Sequence, residues 1–323
     1  MSYNLQNKRD NAGTWMAQYR DQLLPKNFTG ISIVWDEQYP PVTRGILPFK
    51  QTKFNFTQRI KIDPLIMAPE VQEGGKTPLT DREYIIQKYV CTPYKLGGLL
   101  TEQMIENGID DAMVDVTSEV VDAVNLSITY DNVNKLQGVG VEDNRALSRL
   151  NTAIAGKPAG VGTATPWSDT DADILKDITS MRKRIRKASG KVARAILVPP
   201  DEYESIQNNE GIIEQLKYVT PDFLSNGEIP MIKGIMILEM ETVYKDKNKR
   251  AESDEKIPML ENKVIMVADD VGYTAYAQGA PNPITQRIMD LDRDAVMVKA
   301  KANSTTVIKD FGRIGIISGT NVA

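Results

Sequence analysis

The sequence predicts an α+β fold, and three observations carry that prediction. Residues 49–63 and 83–92 alternate apolar and polar side chains with a period of two, the pattern of two half-buried strands in a long hairpin. Residues 101 to about 136 carry a sustained helical repeat. From 168 to 270, helix-like and strand-like runs alternate, which builds a mixed layer of sheet and helix.

Residues 1–45 show no consistent period. An amide-rich start, a short helical candidate at 14–24 and a loop around Pro40 and Pro41 read as an arm that packs on something else. In the first hairpin strand Phe54, Phe56, Ile60 and Ile62 fall on one side, with Lys53, Asn55, Thr57 and Lys61 opposite. Residues 64–80, punctuated by Pro69, Gly74, Gly75 and Pro78, form an elaborate tip, and EYIIQKYVCT is the return strand. The long helix follows, with Thr101 placed to cap it and Ile105, Ile109, Ala112, Val116, Val120, Ala123 and Val124 in one apolar stripe. Its predicted length is roughly 50 Å at about 1.5 Å per residue. Glu106, Asp110, Asp115, Glu119 and Asp122 leave its other side solvated and acidic.

Residues 138–168 are loop-rich, and Ser168 is positioned to cap a second helix over 171–187. That helix starts with Asp169, Asp171 and Asp173 and ends with Arg182, Lys183, Arg184, Arg186 and Lys187, the charge order that complements a helix dipole. ARAILVPP reads as a buried strand, 201–208 as a short helix and IKGIMILEMETV as another strand. Residues 245–256 read as a solvated loop or hairpin tip, and KVIMVADD returns to the sheet. Val296, Val298, Ala300 and Ala302 share one side of a long late strand, and RIGIIS supplies the last one. No repeat of fixed period is present.

Composition narrows the chemistry. The 323 residues are 41% hydrophobic and 25% charged, the balance of a folded chain with a sizeable core. There is no histidine and one cysteine, Cys91, so Ser-His-Asp and Cys-His nucleophile systems are excluded. Zinc sites of Cys and His, iron-sulfur clusters and haem held by His or Cys lack their ligands. A lone cysteine cannot form an internal disulfide, which points to a reducing compartment. The start MSYNLQNKRDNAGTWMAQYR has no apolar run of the signal-peptide kind, and no stretch approaches the ~20 apolar residues of a membrane span. With 39 basic and 43 acidic residues, the net charge of -4 lacks the basic bias of a dedicated nucleic-acid binder.

Several motifs invite a chemical reading, and each has a simpler one. Gly74-Gly75-Lys76-Thr77 resembles the end of a phosphate loop, but Glu70 stands where glycine is needed and Pro78 obstructs the following helix. Asp169/Asp171/Asp173 and Asp290/Asp292/Asp294 have the spacing of a cation loop. Ile174 and Ala295 occupy its glycine position, and Ser180 and Lys301 its final glutamate, so a helix start and a charged bend are expected. The basic run from Arg182 to Arg194 has no interleaved aromatic for base stacking and reads as a solvated helix end or an intersubunit patch. Asp269-Asp270 sits after a buried strand, where α/β enzymes place carboxylates, yet Gly272 follows and a turn is the plainer reading. Cys91 has no basic neighbour closer than Lys88 and Lys95 and reads as a small buried residue. No catalytic, cofactor-binding or metal-ligating residues are assigned, and no cofactor is expected. A protruding hairpin and an arm cannot bury their own apolar faces, which implies neighbouring copies of the chain.

The element order and the segments DADILKDITSMRKRIRK, ARAILVPPDEYESI, IPMIKGIMILEMETV and NKVIMVADDVGYTAYAQGAP resemble the major capsid proteins of tailed double-stranded DNA viruses, the Hong Kong 97-like fold. The resemblance implies an N-terminal arm at 1–45, an extended hairpin loop at 46–98, a peripheral domain at 99–137 and 285–323 with a long spine helix, and an axial α/β domain at 138–284. It implies a structural shell protein, not an enzyme, self-assembling into hexamers and pentamers of an icosahedral head in the virion, with assembly in the host cytoplasm. Arm and extended loop would contact neighbouring copies, and packaged DNA would meet the inner surface without sequence specificity. Scaffold, portal and decoration proteins are the further partners, and no membrane is involved. Some members crosslink a hairpin lysine to an asparagine with a nearby glutamate. Here Lys50, Lys53, Lys61 and Lys76 lie on the hairpin and Asn303 on the late strand, but the nearest following acid is Asp310, so the pattern does not match. An encapsulin-type protein nanocompartment is the alternative within the same fold, and a soluble carboxylate- and metal-dependent enzyme is the alternative of a different class.

Overall fold

The computed structural model describes residues 42–61, 84–101, 112–154, 165–169, 171–217, 229, 231–240, 243–244, 257–279, 282–290 and 295–320. A short 3-10 turn (Val42–Gly45) leads into β1 (Phe49–Gln51), then the hairpin β2 (Asn55–Lys61) and β3 (Tyr84–Val90), and β4 (Thr92–Thr101). Helix α1 (Ala112–Leu136), a one-turn helix α2 (Asn144–Leu147) and β5 (Asn151–Ile154) come next. Then follow α3 (Ile174–Ser189), β6 (Ala193–Val198), α4 (Pro200–Asn208), α5 (Glu210–Lys217), β7 (Met231–Ile232) and β8 (Ile235–Glu239). The chain continues through β9 (Val243–Tyr244), β10 (Ile257–Pro258), β11 (Lys263–Ala268), β12 (Gly272–Gln278), β13 (Ile284–Asp290), β14 (Ala295–Ile308) and β15 (Ile314–Ser318).

Two sheets organise the molecule. The six-stranded one runs β5-β15-β11-β6-β8-β7, with β6 and β11 antiparallel at its centre. Those strands are apolar on both faces because both faces are covered. Beneath one lie Ile174, Ile178, Met181 and Ile185, a single stripe of α3 against Ile196, Val198, Val264 and Met266. On the other face Leu197 and Ile265 meet Val133 and Leu136 of α1, with Phe311.

The second sheet runs β1-β12-β14-β13, with β4 along β14, and α1 lies across it. Val120, Val124 and Ile128 pack on Ala300 and Ala302, and Met113 packs with Leu100, Val296 and Val298. The helix comes close because position 98 is glycine: a Cβ there would intrude on Val116. The predicted apolar side of the long strand, Val296 to Ala302, is therefore the side under the helix.

The structure changes several expected elements. The strand expected over 49–63 is two: β1 joins the body, the Thr52 amide donates to the Tyr276 carbonyl at 2.7 Å, and the hairpin begins only after that bend. Thr101 is the last residue of β4, paired with Ala295 across the ladder, and the long helix is described from Ala112; the expected helical stretch between them lies outside the described residues. Asp173, not Ser168, caps α3, because its carboxylate accepts the Lys176 amide at 3.0 Å. IKGIMILEMETV folds back as the hairpin β7-β8, turned by positive φ at both Lys233 and Gly234. RIGIIS leaves the long-strand sheet and pairs with β11 and β5 instead. A 3-10 turn at Phe311–Arg313, capped by Asp310 accepting the Gly312 amide, redirects the chain between sheets. Strands β9 and β10 pair on either side of 245–256, as a hairpin connection requires.

Candidate assembly surfaces

The hairpin β2-β3 has two unlike faces. Its inner face places Phe56 stacked on Tyr89, with ring centroids 5.6 Å apart, against Tyr273 of β12. The Tyr273 hydroxyl donates to Gln58 Oε1 at 3.0 Å, which fixes the base of the hairpin to the body. Burial, reinforced by Tyr273, pushes the Tyr89 phenol well above its ordinary range, so it stays neutral. On the outer face Ile86 is 67% exposed and Val90 56% exposed, with Phe54 uncovered at the start of the strand.

A second uncovered face lies on the β4-β14-β13 sheet, opposite α1. Leu99, Met297 and Ile288 form one row in register across the three strands, and on the same face Ile284 stands in register with Lys301 and Lys95. Leu99, Ile284 and Ile288 are each exposed. Apolar side chains on a hairpin and on a sheet face of one chain are what contact with another polypeptide would bury.

The motifs with chemical readings come apart in the structure. Asp269 and Asp270 form the β11-β12 turn, with Asp270 at φ 55. Arg194 Nε donates to Asp269 Oδ2 at 3.1 Å, Lys309 pairs with the Asp270 carboxylate, and Arg313 Nη1 donates to both backbone carbonyls at 2.8 and 2.7 Å. Burial pulls the Asp270 carboxyl upward, but Lys309 and Arg313 outweigh it and hold it below the ordinary range. It is an ion-paired turn with no unpaired base. The adjoining cleft of about 520 Å³ contains Lys50 and Lys309, whose ammonium groups lie 5.1 and 5.6 Å from the Tyr273 ring centroid.

Asp169, Asp171 and Asp173 start α3 in the way the helix reading expects: Asp169 Oδ1 accepts the Asp171 amide at 3.3 Å, and Asp173 is the cap. Among the described residues no group of three His, Cys, Asp or Glu side chains is placed to hold a metal ion. In the basic run, Arg182 and Arg184 donate to the carbonyls of Lys233 and Thr152, at 3.0 and 2.5 Å, while Lys183, Arg186 and Lys187 are exposed. Cys91 is buried where β3 passes into β4, its thiol 3.8 Å from the Lys53 carbonyl, and burial raises its pKa. Asn303 is buried in β14. Gly74 to Thr77, Asp292, Asp294 and the arm before Val42 lie outside the described residues. Among the described residues no helix is long and apolar enough to cross a membrane.

The uncovered sheet face was not legible beforehand, because ITQRIMD of β13 has too few apolar residues to announce a strand. The exposed Ile86 and Val90 alternate in β3 with residues on the inner face, and period alone does not say which face is covered.

The fold has counterparts among solved structures. A phage-related protein from Bordetella bronchiseptica aligns with a TM-score of 0.61 over 91% of this chain and 97% of that one, at 14% identity. A virus-like particle from Pyrococcus furiosus gives 0.54 over 90% and 96%, at 13% identity. The capsid of an empty GTA particle gives 0.53 over 88% and 91%, at 12% identity. No family model matches the chain, and no curated protein matches it by sequence. The likeness is one of fold: this mixed α/β chain has the fold of phage capsid proteins.

Proposed function

We propose that the chain is the major shell protein of a tailed double-stranded DNA virus, built on the Hong Kong 97-like plan and assembling into hexamers and pentamers of an icosahedral head. One observation carries the reading: the fold likeness spans 90% of this chain and 96% of the virus-like particle protein, and 88% of this chain and 91% of the capsid protein of the empty GTA particle. The uncovered hairpin and sheet faces support it, because a shell subunit buries such surface only against its neighbours. In this reading 1–45 is the arm, 46–98 the extended loop, 99–137 and 285–323 the peripheral domain, and 138–284 the axial domain, with β15 lent to the axial sheet. The chain acts by packing and not by catalysis. Its partners are further copies, packaged DNA met without sequence specificity, and scaffold, portal and decoration proteins. Its place is the virion, after assembly in the host cytoplasm.

Electron microscopy of the purified chain, with its nucleic-acid and protein contents measured, is the test. Closed shells or capsomer rings are the expected result. Shells that hold a protein cargo and exclude DNA would replace the viral head by a nanocompartment of the same fold. Small, ring-free oligomers persisting across salt and crowding, with and without a co-expressed scaffold, would overturn the shell reading.

A further inference from the structure

Helix α3 separates charge along its length, with carboxylates at its start and basic side chains toward its end. Its inward stripe is buried, while Lys183, Arg186 and Lys187 on the outward side are exposed, with no described carboxylate at ion-pair distance. At the other end of the helix a groove of about 920 Å³ opens between α3, α4 and α5. Asp169, Asp171, Asp173, Asp201, Glu204 and Glu210 line it, and among the described residues no lysine or arginine does. Ten to fourteen helical positions separate Asp173 from the basic residues, about 15 to 21 Å at ~1.5 Å per residue. That exceeds the Debye length of about 8 Å at physiological salt, so neither patch screens the other.

We propose that the basic face of α3 in one copy seats against the acid-lined groove of the next copy, in a head-to-tail contact. This rests on the shell reading above and names the residues that join neighbouring subunits. The two patches are different surfaces, so the contact is heterologous and repeats from copy to copy, closing into a ring when the rotation closes. A second copy fits better than nucleic acid, because the acidic groove would repel phosphate and the helix face offers no aromatic to stack on bases.

Charge reversal tests it in the full chain. The variants are Arg186→Glu with Lys187→Glu, Asp171→Lys with Glu204→Lys, and all four together, each melted by circular dichroism to confirm the wild-type fold. Each pair should raise the concentration for half-assembly at least about tenfold, and the fourfold variant should bring it back to within about threefold of wild type. Pairs that assemble like wild type, or a fourfold variant no better than the worse pair, would overturn the contact and leave the shell reading standing. Loss confined to the Arg186 and Lys187 pair, with reduced nucleic-acid content, would overturn it in favour of a nucleic-acid-facing helix. A wild-type chain that forms no assembly, with or without a co-expressed scaffold, would overturn the shell reading and this contact together.

Discussion

The Asn132 Oδ1 of α1 accepts the Thr274 hydroxyl of β12 at 3.0 Å, and both residues are almost wholly buried. The same oxygen accepts the Thr306 hydroxyl of β14 at 2.6 Å, and the Asn132 amide donates to Thr43 Oγ1 at 2.8 Å. One amide thus ties α1 to two neighbouring strands and to the turn that precedes β1. Buried hydroxyls of this kind are costly when unpartnered, so the network fixes where the helix lies along the sheet.

Replacing Asn132 by leucine keeps the bulk and removes every partner. The Thr43 and Thr274 hydroxyls would be left buried without their bonds, a loss of about 2 to 4 kcal/mol. Urea unfolding of the unassembled chain should show a lower midpoint with an unchanged slope. Adding Thr274→Val to Asn132→Leu should cost less than the sum of the two changes. A midpoint equal to wild type would show that the network carries no stability.

Gly98 marks how tightly α1 lies on the second sheet. A side chain at 98 would meet Val116 and Val120, so Gly98→Ala should destabilise by about 1 to 3 kcal/mol through overpacking. Val116→Ala in the same chain should restore part of that loss, because it removes the atoms in the way. If Gly98→Ala melted at the wild-type temperature, close approach could not be the reason glycine stands there.

Gly98 also shows where the sequence was readable and where it was not. The apolar stripe of α1 and the apolar side of β14 were evident because their spacing matches helix and strand periods, and the structure packs them on each other. The ends were not evident. Thr101 closes β4 opposite Ala295 of β14, a long-range partnership that no local pattern encodes. The same holds for RIGIIS, whose apolar run suits either sheet and is sent to the six-stranded one by the Asp310 turn. The Asp269-Asp270 turn is legible locally, since Asp and Gly carry that signal, whereas the cations that neutralise it come from Arg194, Lys309 and Arg313, far along the chain.

Stability should fall between about pH 4 and pH 6. Burial raises the Asp122 carboxyl from 3.8 to about 6, so in that window the folded chain holds a proton that the unfolded chain has released. The contribution is complete below the unfolded value and is lost as pH rises through the folded one. Glu202 acts in the same sense: burial raises its pKa, Asp201 and Glu261 add to it, and the Thr320 hydroxyl opposes it. Asp270 acts in the other sense, since its cations stabilise the fold above 3.8 and are lost to it on acidification. Asp122→Asn should therefore flatten the decline of unfolding free energy from pH 4 to pH 6. A variant with the same slope as wild type would remove Asp122 as its source.

The exposed face of the hairpin should matter to assembly and hardly at all to the isolated fold. Ile86 and Val90 lie on the side of β3 away from Tyr273, so replacing both by serine removes no contact of the folded subunit's core. Surface changes of this kind shift stability by about 0.5 kcal/mol or less. Between subunits the same side chains would be desolvated, where losing two aliphatic groups costs about 3 kcal/mol or more. The Ile86→Ser, Val90→Ser chain should melt like wild type yet need at least about a hundredfold more protein to assemble. Sedimentation velocity across a concentration series, beside thermal melting, separates the two effects. Normal assembly with normal melting would mean that neighbours leave this face of the hairpin uncovered.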